Sequence, residues 1–592
     1  MPPEHNPATK VQPNRFKTEL GIFVGLMVVA FIGLYLFARH FGLYEDDYYF
    51  TVGPYLWNWA TFKAYLADAW HSWPQFRPLG FSITYIITYA TAQFDSLIPA
   101  YGLGLFLNTI NGYLFYRLAR RTVRHWIAFA AACVFLLYPS DTSKAILMLR
   151  GFELVNLAMV LSAILLYVNG WRIPAYILAC GCLLTYEHFF LPFLVAPFLL
   201  AEGQRFNWRK FASHWVVCAL LPAALMVARK LAGDARSTAV FGAPADAIRR
   251  MVTACLIGPR TALLAMAERP WDALIHSNLL QWCMIAIGSA IVIWTGLRVR
   301  PARSAANRTG DVLGWALAGG LICFGLGYVI AILPENYPPV VNIGRLSGFN
   351  APASVSACLV LAVLAEWIVM RVRPIEKPAV CAAAIYVGLL VSTGIQVQIT
   401  DYVASWRAQR QFWTTIVATS GEWHPGTTIL VDVNKAPKGS FDTIGFPGNW
   451  MVFDALMGTR SLIAPTVWQD WEKQTKTGAA PTVFGIWKDL GWKRQGSRFL
   501  LDTPPGFDAN RQPLVADDTF LHFGFRDGSL TRTDAPIILH GLTLHPMPAP
   551  KSEPPPRAFS RLYRILFSNP PSDSELGANP WPSLLRAKSY PQ

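Results

Sequence analysis

The chain has 592 residues, 53% of them apolar and only 15% charged, with a formal net charge of +15. A soluble protein carries about a quarter charged residues, so this composition argues against a wholly soluble enzyme. No basic run is interleaved with aromatics, which argues against a nucleic-acid groove. The nine cysteines fall between Cys133 and Cys381, nearly all in apolar segments, which argues against a disulfide framework or a cysteine metal site.

Apolar windows of about 20 residues recur to residue 398, each long enough for a hydrocarbon core of about 30 Å. The expected fold is an all-α polytopic membrane protein of about eleven spans, followed by a C-terminal extracytoplasmic α/β or α+β domain. Residues 1–19 are polar and carry Lys10, Arg15 and Lys17, a cytoplasmic N-terminus. The first span, 20–39, lacks a small-residue cleavage site behind a short apolar core and reads as a retained helix. It opens into an acidic outer loop, 40–77. Residues 78–93 are short, begin at Pro78, are rich in Thr and Tyr, and read as an interfacial or half-inserted helix.

Further spans are expected at 98–117, 125–138, 150–169, 172–186, 189–201, 211–229, 279–297, 312–333, 350–370 and 378–398. Charge sets this count. It leaves eighteen Lys and Arg on the cytoplasmic side and six on the short outer loops: Arg39, Lys63, Arg77, Lys144, Arg150 and Arg345. A crossing by 78–93 would turn every later basic cluster outward. The outer loop 229–278 breaks the bias. Within it, "AIRRMVTACLIGPRTALLAMAERP" places apolar residues at helical spacing and arginines on another face, as in a helix lying in the membrane interface. Arg249, Arg250 and Arg260 would there touch lipid phosphates. Beyond 398, Pro, Gly, Asp and Trp rise. A helix is expected over 401–419, strands at 427–433, 498–503 and 536–545, and a Pro-rich tail closes this 399–592 domain.

That topology gathers ionisable residues from four loops on the outer face. Glu45, Asp46 and Asp47 stand at the lip of the first span, with Arg77 at the end of the same loop. The second outer loop supplies Asp141, Lys144, Arg150 and Glu153. The turn 186–188 supplies Glu187 and His188, and a later loop supplies Arg345. Such groups at span ends are costly unless paired or functional. The chemistry they suggest is transfer of a group from a lipid phosphate. One carboxylate acts as general base on an attacking hydroxyl, and Arg and Lys neutralise the departing phosphate. A second carboxylate, Asp46 or Asp47, holds a divalent cation (Mg2+ or Mn2+) or orients a sugar hydroxyl. Plainer readings stand beside these: solvated acids, Arg77 as an interfacial anchor, Asp141 and Lys144 as a surface ion pair, His188 as a hydrogen-bonded structural histidine, and Arg345 as an ordinary loop charge.

The order of these features resembles the GT-C superfamily of membrane glycosyltransferases, most closely the branch of transmembrane O-mannosyltransferases with tetratricopeptide repeats and their bacterial relatives. The likeness rests on Phe76, Arg77, Pro78 and Leu79; on Asn108 and Asn111 before the basic run Arg117 to Arg124; on Tyr138 and Pro139 before Arg150, Gly151, Phe152 and Glu153; on Tyr186 and Glu187; and on Arg345 and Leu346. It covers residues 20–200 well and 310–370 loosely. The repeats are absent, a lysine that the branch places before the glutamate is missing, and the C-terminal domain has no counterpart. The resemblance implies a polyprenyl-phosphate-linked sugar donor, inverting transfer, and an extracytoplasmic site facing the periplasm of a bacterial inner membrane. Asp46 or Asp47 would be the base, and Glu187 and Arg345 would support the donor. The acceptor, whether glycan, lipid or protein, is open.

Three rivals compete with this reading. A transporter or flippase would place its ionisable groups midway through the spans and show inverted repeats of broken helices. Another membrane enzyme handling lipid-linked intermediates is the second. A non-catalytic assembly partner is the third.

Overall fold

Among the described residues, seven helical segments are long and apolar enough to cross a membrane: Lys17–His40, Arg150–Val168, Phe211–Leu231, Pro244–Ile275, Val312–Ile332, Ser347–Arg371 and Glu376–Ile416. Four shorter apolar ones join them: His125–Leu136, Arg172–Thr185, Glu187–Leu199 and Leu279–Thr295. The chain is an all-α integral membrane protein through this region. The computed structural model describes residues 13–44, 47–199, 208–298, 310–332, 344–372 and 375–419. Beyond them it describes 428–432, 483–487, 492–495, 498–501, 514–515, 520–526, 529–539, 542–548 and 561–567.

In chain order the helices are α1 Pro13–Ala30, α2 Asp47–Leu56, α3 Trp59–His71, α4 Pro78–Ala92, α5 Ile98–Ala119, α6 His125–Leu136, α7 Val155–Val168 and α8 Arg172–Thr185. A 3-10 helix, Glu187–Leu199, follows. Then come α9 Trp208–Leu231, α10 Ala235–Gly242, α11 Pro244–Ile275, α12 Leu279–Arg298, α13 Gly310–Leu326, α14 Ala351–Arg371, α15 Glu376–Val397 and α16 Ala404–Thr419. Short π-helical turns, Phe31–Tyr35, Arg150–Leu154 and Gln398–Val403, extend α1, precede α7 and join α15 to α16.

Ion pairs tie one set of helix ends together. Glu19 of α1 meets Arg120 just beyond α5 at 2.8 Å, and Arg124 meets Glu366 of α14 at 3.1 Å and Glu376 of α15 at 2.9 Å. The opposite ends carry the remaining polar clusters. Helix α5 runs antiparallel to α1: Tyr101 donates to Gly42 O (2.5 Å) at one end, and Tyr113 donates to Glu19 (3.0 Å) near the other. Its buried amides donate across the bundle, Asn108 to Tyr35 Oη and Asn111 to Leu154 O, both at 2.9 Å. These polar residues keep α5 out of the seven most apolar segments, although it has 22 residues.

Helix α11 differs from the expectation in one respect. A reading by charge makes it interfacial, whereas by length and composition it could cross. Most of its partners come from one end of the bundle. Arg250 donates to Ile332 O (3.3 Å), Gly258 lies against Tyr328, Ala262 O accepts from Ser140 (3.3 Å), Arg269 donates to Pro139 O, and Ser277 meets Ser392 (3.1 Å). Tyr386 reaches from within α15 to donate to Met266 O at 2.8 Å.

Helix α4 sits where two backbones nearly touch. A Cβ on Gly80 would lie 2.6 Å from Thr185 O and 2.8 Å from the Phe152 ring, so only glycine lets α4 close onto the end of α8. Gly151 admits Thr84 in the same way. Phe50, Phe81 and Phe152 close this contact edge to face, with ring centroids 5.3–5.6 Å apart.

The C-terminal strands are β1 Thr428–Asp432, β2 Val483–Trp487, β3 Trp492–Gln495, β4 Arg498–Leu501, β5 Leu514–Val515, β6 Phe520–Arg526, β7 Ser529–Arg532, β8 Ile537–Leu539 and β9 Leu542–Leu544. One sheet runs β2-β1-β6-β7, parallel except for the β6–β7 hairpin. The three predicted strand segments fall on β1, β4 and the β8–β9 hairpin. A final helix, α17 Arg561–Phe567, packs against α2 and α16, with Phe567 stacked on Trp406 at 5.9 Å. Leu521 and Phe523 of β6 share one buried cluster with Phe41, Tyr44, Tyr101, Met148, Tyr402 and Trp413.

Gly80→Val should separate α4 from α8 at a cost of roughly 1–3 kcal/mol. The measurement is the thermal midpoint in detergent. Gly102→Ala, where a Cβ meets nothing within 4 Å, should hold or raise that midpoint. Equal melting of the two variants would contradict the close approach.

Candidate functional site

A buried cluster of charges centres on Glu187, at the turn after α8. Its carboxylate accepts from Arg77 through two parallel bonds, Nε to Oε2 at 3.0 Å and Nη2 to Oε1 at 2.9 Å. Arg229, at the end of α9, reaches the same carboxylate from the other side, with Nη1 on Oε1 at 2.8 Å and Nη2 on Oε2 at 3.3 Å. Arg77 is 7% exposed and Arg229 3%. Two buried guanidiniums thus share one carboxylate, and the group keeps a surplus positive charge. Arg229 Nε is buried with no hydrogen-bond partner among the described residues. Arg77 also lies 4.2 Å over the Tyr186 ring.

The loop that delivers Arg77 is strained. Trp73, Gln75 and Phe76 all adopt left-handed backbone with φ of 46°, 52° and 57°, which costs an L-residue about 1–2 kcal/mol. The conformation persists because both arginines hold it: Gln75 Oε1 accepts from Arg77 (3.0 Å) and Gln75 O from Arg229 (3.1 Å). Strain held by surrounding contacts is a recurrent property of functional loops.

Glu45 and Asp46 lie outside the described residues. Asp47, the third acid, is fully buried and faces inward. Its Oδ1 accepts from Met148 N (2.7 Å) and its Oδ2 from Tyr44 N (3.1 Å). Burial pushes its carboxyl up to about 7, against the backbone donors at Met148, Tyr44 and Leu147 and the nearby Arg150 guanidinium. Both oxygens of Asp47 are thus held by backbone donors, and the residue clasps the acidic loop to residues 147–148. Arg150, 1% exposed, serves the same layer, donating to Leu147 O (2.7 Å) and Ala100 O (2.8 Å).

The plainer reading of Asp141 and Lys144, a surface ion pair, does not hold. Both side chains are buried and no ion pair joins them among the described residues. Lys144 caps the end of α6, donating to Phe135 O (2.7 Å) and Leu136 O (2.8 Å). Asp141 Oδ1 accepts from Ser143 N (3.0 Å) and Oγ (2.6 Å), while Oδ2 has no partner among the described residues. Burial raises the Asp141 carboxyl, opposed first by Lys144. Glu153 is buried, with Ser143 Oγ 3.5 Å from its Oε2.

The 3-10 helix Gly344–Asn350 carries Arg345, whose side chain lies outside the described residues. Its backbone is bound to the Asp141 loop: Thr142 N donates to Ser347 Oγ (2.8 Å), Gly344 N to Thr142 Oγ1 (3.0 Å), and Asn350 to Ser140 O (2.9 Å). His188 is 3% exposed and neither ring nitrogen has a hydrogen-bond partner among the described residues. It packs edge to face on Tyr186 at 4.1 Å instead, which corrects the hydrogen-bonded reading. Arg249 is exposed beside Asp246 (3.2 Å), Arg250 is partly buried and bonded to Ile332 O, and Arg260 is exposed. Among the described residues no three His, Cys, Asp or Glu side chains converge.

Sequence reasoning missed Arg229 as the second partner of Glu187. Its signal was present as a basic residue on the wrong side of the charge bias. Gln75 had none. No family model matches the chain, and no curated protein matches it.

Glu187→Gln leaves both arginines buried without a counter-charge and should cost about 3–5 kcal/mol. Adding Arg229→Gln should recover part of that loss, read as the coupling term of a double-mutant cycle on thermal unfolding. Additive losses would dissolve the cluster as a unit. Asp47 gives a pH signature. Its folded carboxyl titrates well above the ordinary aspartate range, so the unfolded chain sheds the proton first. Its contribution to stability falls as pH rises from about 4 to about 7 and is flat beyond. The difference in melting temperature between parent and Asp47→Asn should move across that window, and a constant difference would contradict it.

Proposed function

We propose that the protein is an inverting GT-C-type glycosyltransferase that moves a sugar from a polyprenyl-phosphate donor to an acceptor hydroxyl at the extracytoplasmic face of a bacterial inner membrane. The observation that carries this reading is the Arg77–Glu187–Arg229 cluster. Its surplus cation is built at the end of the bundle, beside the helix that follows the acidic loop. A buried guanidinium pair with one carboxylate between them is costly as mere architecture, and it suits a site that meets a lipid phosphate and its departing charge.

In the step envisaged, the acceptor oxygen attacks the anomeric carbon and the bond from that carbon to the phosphate oxygen breaks. The hydroxyl proton passes to a carboxylate, and polyprenyl phosphate leaves as the anion facing Arg77 and Arg229. With Asp47 committed to backbone donors, Asp46 is the residue assigned as base, Glu45 its neighbour. Asp47 positions that loop. Arg345, on a helix tied to the Asp141 loop, supports the donor.

The eleven-span topology belongs to the same reading. The ion-paired ends of α1, α5, α14 and α15 support a common cytoplasmic side, with α5 crossing beside α1. Most partners of α11 come from the other end, which supports an interfacial helix whose Arg249 and Arg260 meet lipid phosphates. The segment Glu187–Leu199 has only 13 residues, but at about 2.0 Å rise per residue a 3-10 helix of that length reaches about 26 Å. The C-terminal strands then lie outside as an α/β domain over the acidic loop.

The test is release of polyprenyl phosphate from a panel of short-chain polyprenyl-phosphate sugars by the purified protein in detergent. Asp46→Asn should lower release about 10^2–10^4-fold with donor binding retained. Arg229→Gln should weaken donor binding. A parent protein that neither binds nor cleaves any donor would sink the transferase reading.

A further inference from the structure

Arg77 and Arg229 are buried, but a residue bonded to both of them is not. Gln75 is exposed, and Arg77 Nη1 donates to its Oε1 (3.0 Å) while Arg229 Nη2 donates to its main-chain O (3.1 Å). Phe76 adds its ring, 5.8 Å from the Arg229 guanidinium. Trp73, on the far side of Pro74, is 40% exposed. Residues 73–76 thus form a strap with solvent on one side and the two guanidiniums on the other.

Three features make this strap displaceable by an anion. Its backbone is left-handed at three residues that carry side chains, so release relieves strain. The oxygens that Gln75 offers are neutral, whereas a phosphate brings charged oxygens to the same donors, and hydrogen bonds between ions are shorter and stronger. Arg229 Nε, buried with no partner among the described residues, is a further donor that an arriving anion would satisfy. The strap itself is closed by one tight turn, in which Phe76 N donates to Trp73 O (2.9 Å) and Arg77 N to Pro74 O (3.0 Å).

We propose that Gln75 is a placeholder ligand: its two oxygens occupy the arginine donor positions that phosphate oxygens take on binding, and the strap leaves as the anion arrives. The inference rests on the reading of this cluster as a phosphate site and adds its regulation. Entry is an exchange of a neutral ligand for a charged one. An uncharged isoprenyl alcohol has no advantage over Gln75 at these donors and leaves the strap in place.

The experiment uses the full chain in uncharged detergent, with farnesyl phosphate as the probe and farnesol as its uncharged counterpart. Binding is measured by isothermal titration, and the Phe76 and Arg77 amides are followed by hydrogen exchange. Gln75→Ala removes one competing oxygen and should bind farnesyl phosphate about tenfold tighter, the worth of one hydrogen bond to a charged group. Gln75→Glu places a charged oxygen at the same donor and should bind it about tenfold more weakly. Saturating farnesyl phosphate should speed exchange at Phe76 and Arg77, because the turn they close is released, and farnesol should not. Unchanged or weaker binding by Gln75→Ala would make Gln75 a brace for Arg77 and overturn the strap. Unchanged or tighter binding by Gln75→Glu, or slower exchange of the two amides with the probe, overturns it as well. These two results decide the matter alone if Gln75→Ala does not fold. In each of these cases binding by the parent leaves the phosphate reading standing. Binding by Gln75→Ala but not by the parent supports the strap, and binding by neither removes the phosphate reading and the strap with it.

Discussion

One carboxylate shared by two buried guanidiniums governs the arrangement of this end of the bundle. Glu187 brings together the loop before α4, the turn after α8 and the end of α9, three segments far apart in sequence. Desolvating three ions at a membrane edge is unfavourable unless every geometry is met. Much of the neighbourhood follows from meeting it: Gly80 lets α4 close on Thr185 O, and the left-handed backbone of Trp73, Gln75 and Phe76 turns the chain so that Arg77 faces the carboxylate.

A second layer depends on the first. Asp47 and Arg150 fasten the loop 147–148 to the lip of the first span and to α5, and Tyr402 donates to Thr142 O from the opposite side. Aromatic rings fill the space between: Phe41 stacks on Tyr402 at 5.0 Å and Tyr44 meets it edge-on at 4.9 Å. The same cluster continues into β6 and α17, so the C-terminal segment and the first outer loop are parts of one core rather than neighbours.

The helices were legible because apolar length and charge bias are local properties, and so were β1, β4 and the β8–β9 hairpin. Glu187 was legible as an anomaly, a charge in a turn too short to reach water. Its second arginine was not, because Arg229 is 42 residues away and sequence spacing does not tell which span end meets which. Nor did three adjacent acids disclose that Asp47 turns inward, since that direction is set by the amides of Tyr44 and Met148. Asp141 and Lys144 looked like a surface pair because their loop is short and polar; the carbonyls at the end of α6 claim the lysine instead. The left-handed run at 73–76 contains no glycine or asparagine, so no residue announces it.

The 3-10 helix from Glu187 to Leu199 has a mechanical consequence. Its 13 residues, with Pro192 and Pro197 among them, are wound about 0.5 Å per residue longer than an α-helix would be. Rewinding to α-helical pitch would shorten the segment by about 6 Å, more than twice the length of the bonds that Glu187 makes with its arginines. The segment is thus a ruler: helical pitch inside the bundle sets where the carboxylate stands at its edge. A change that relaxes the winding several turns below can draw the acid away from both cations without altering any of the three side chains.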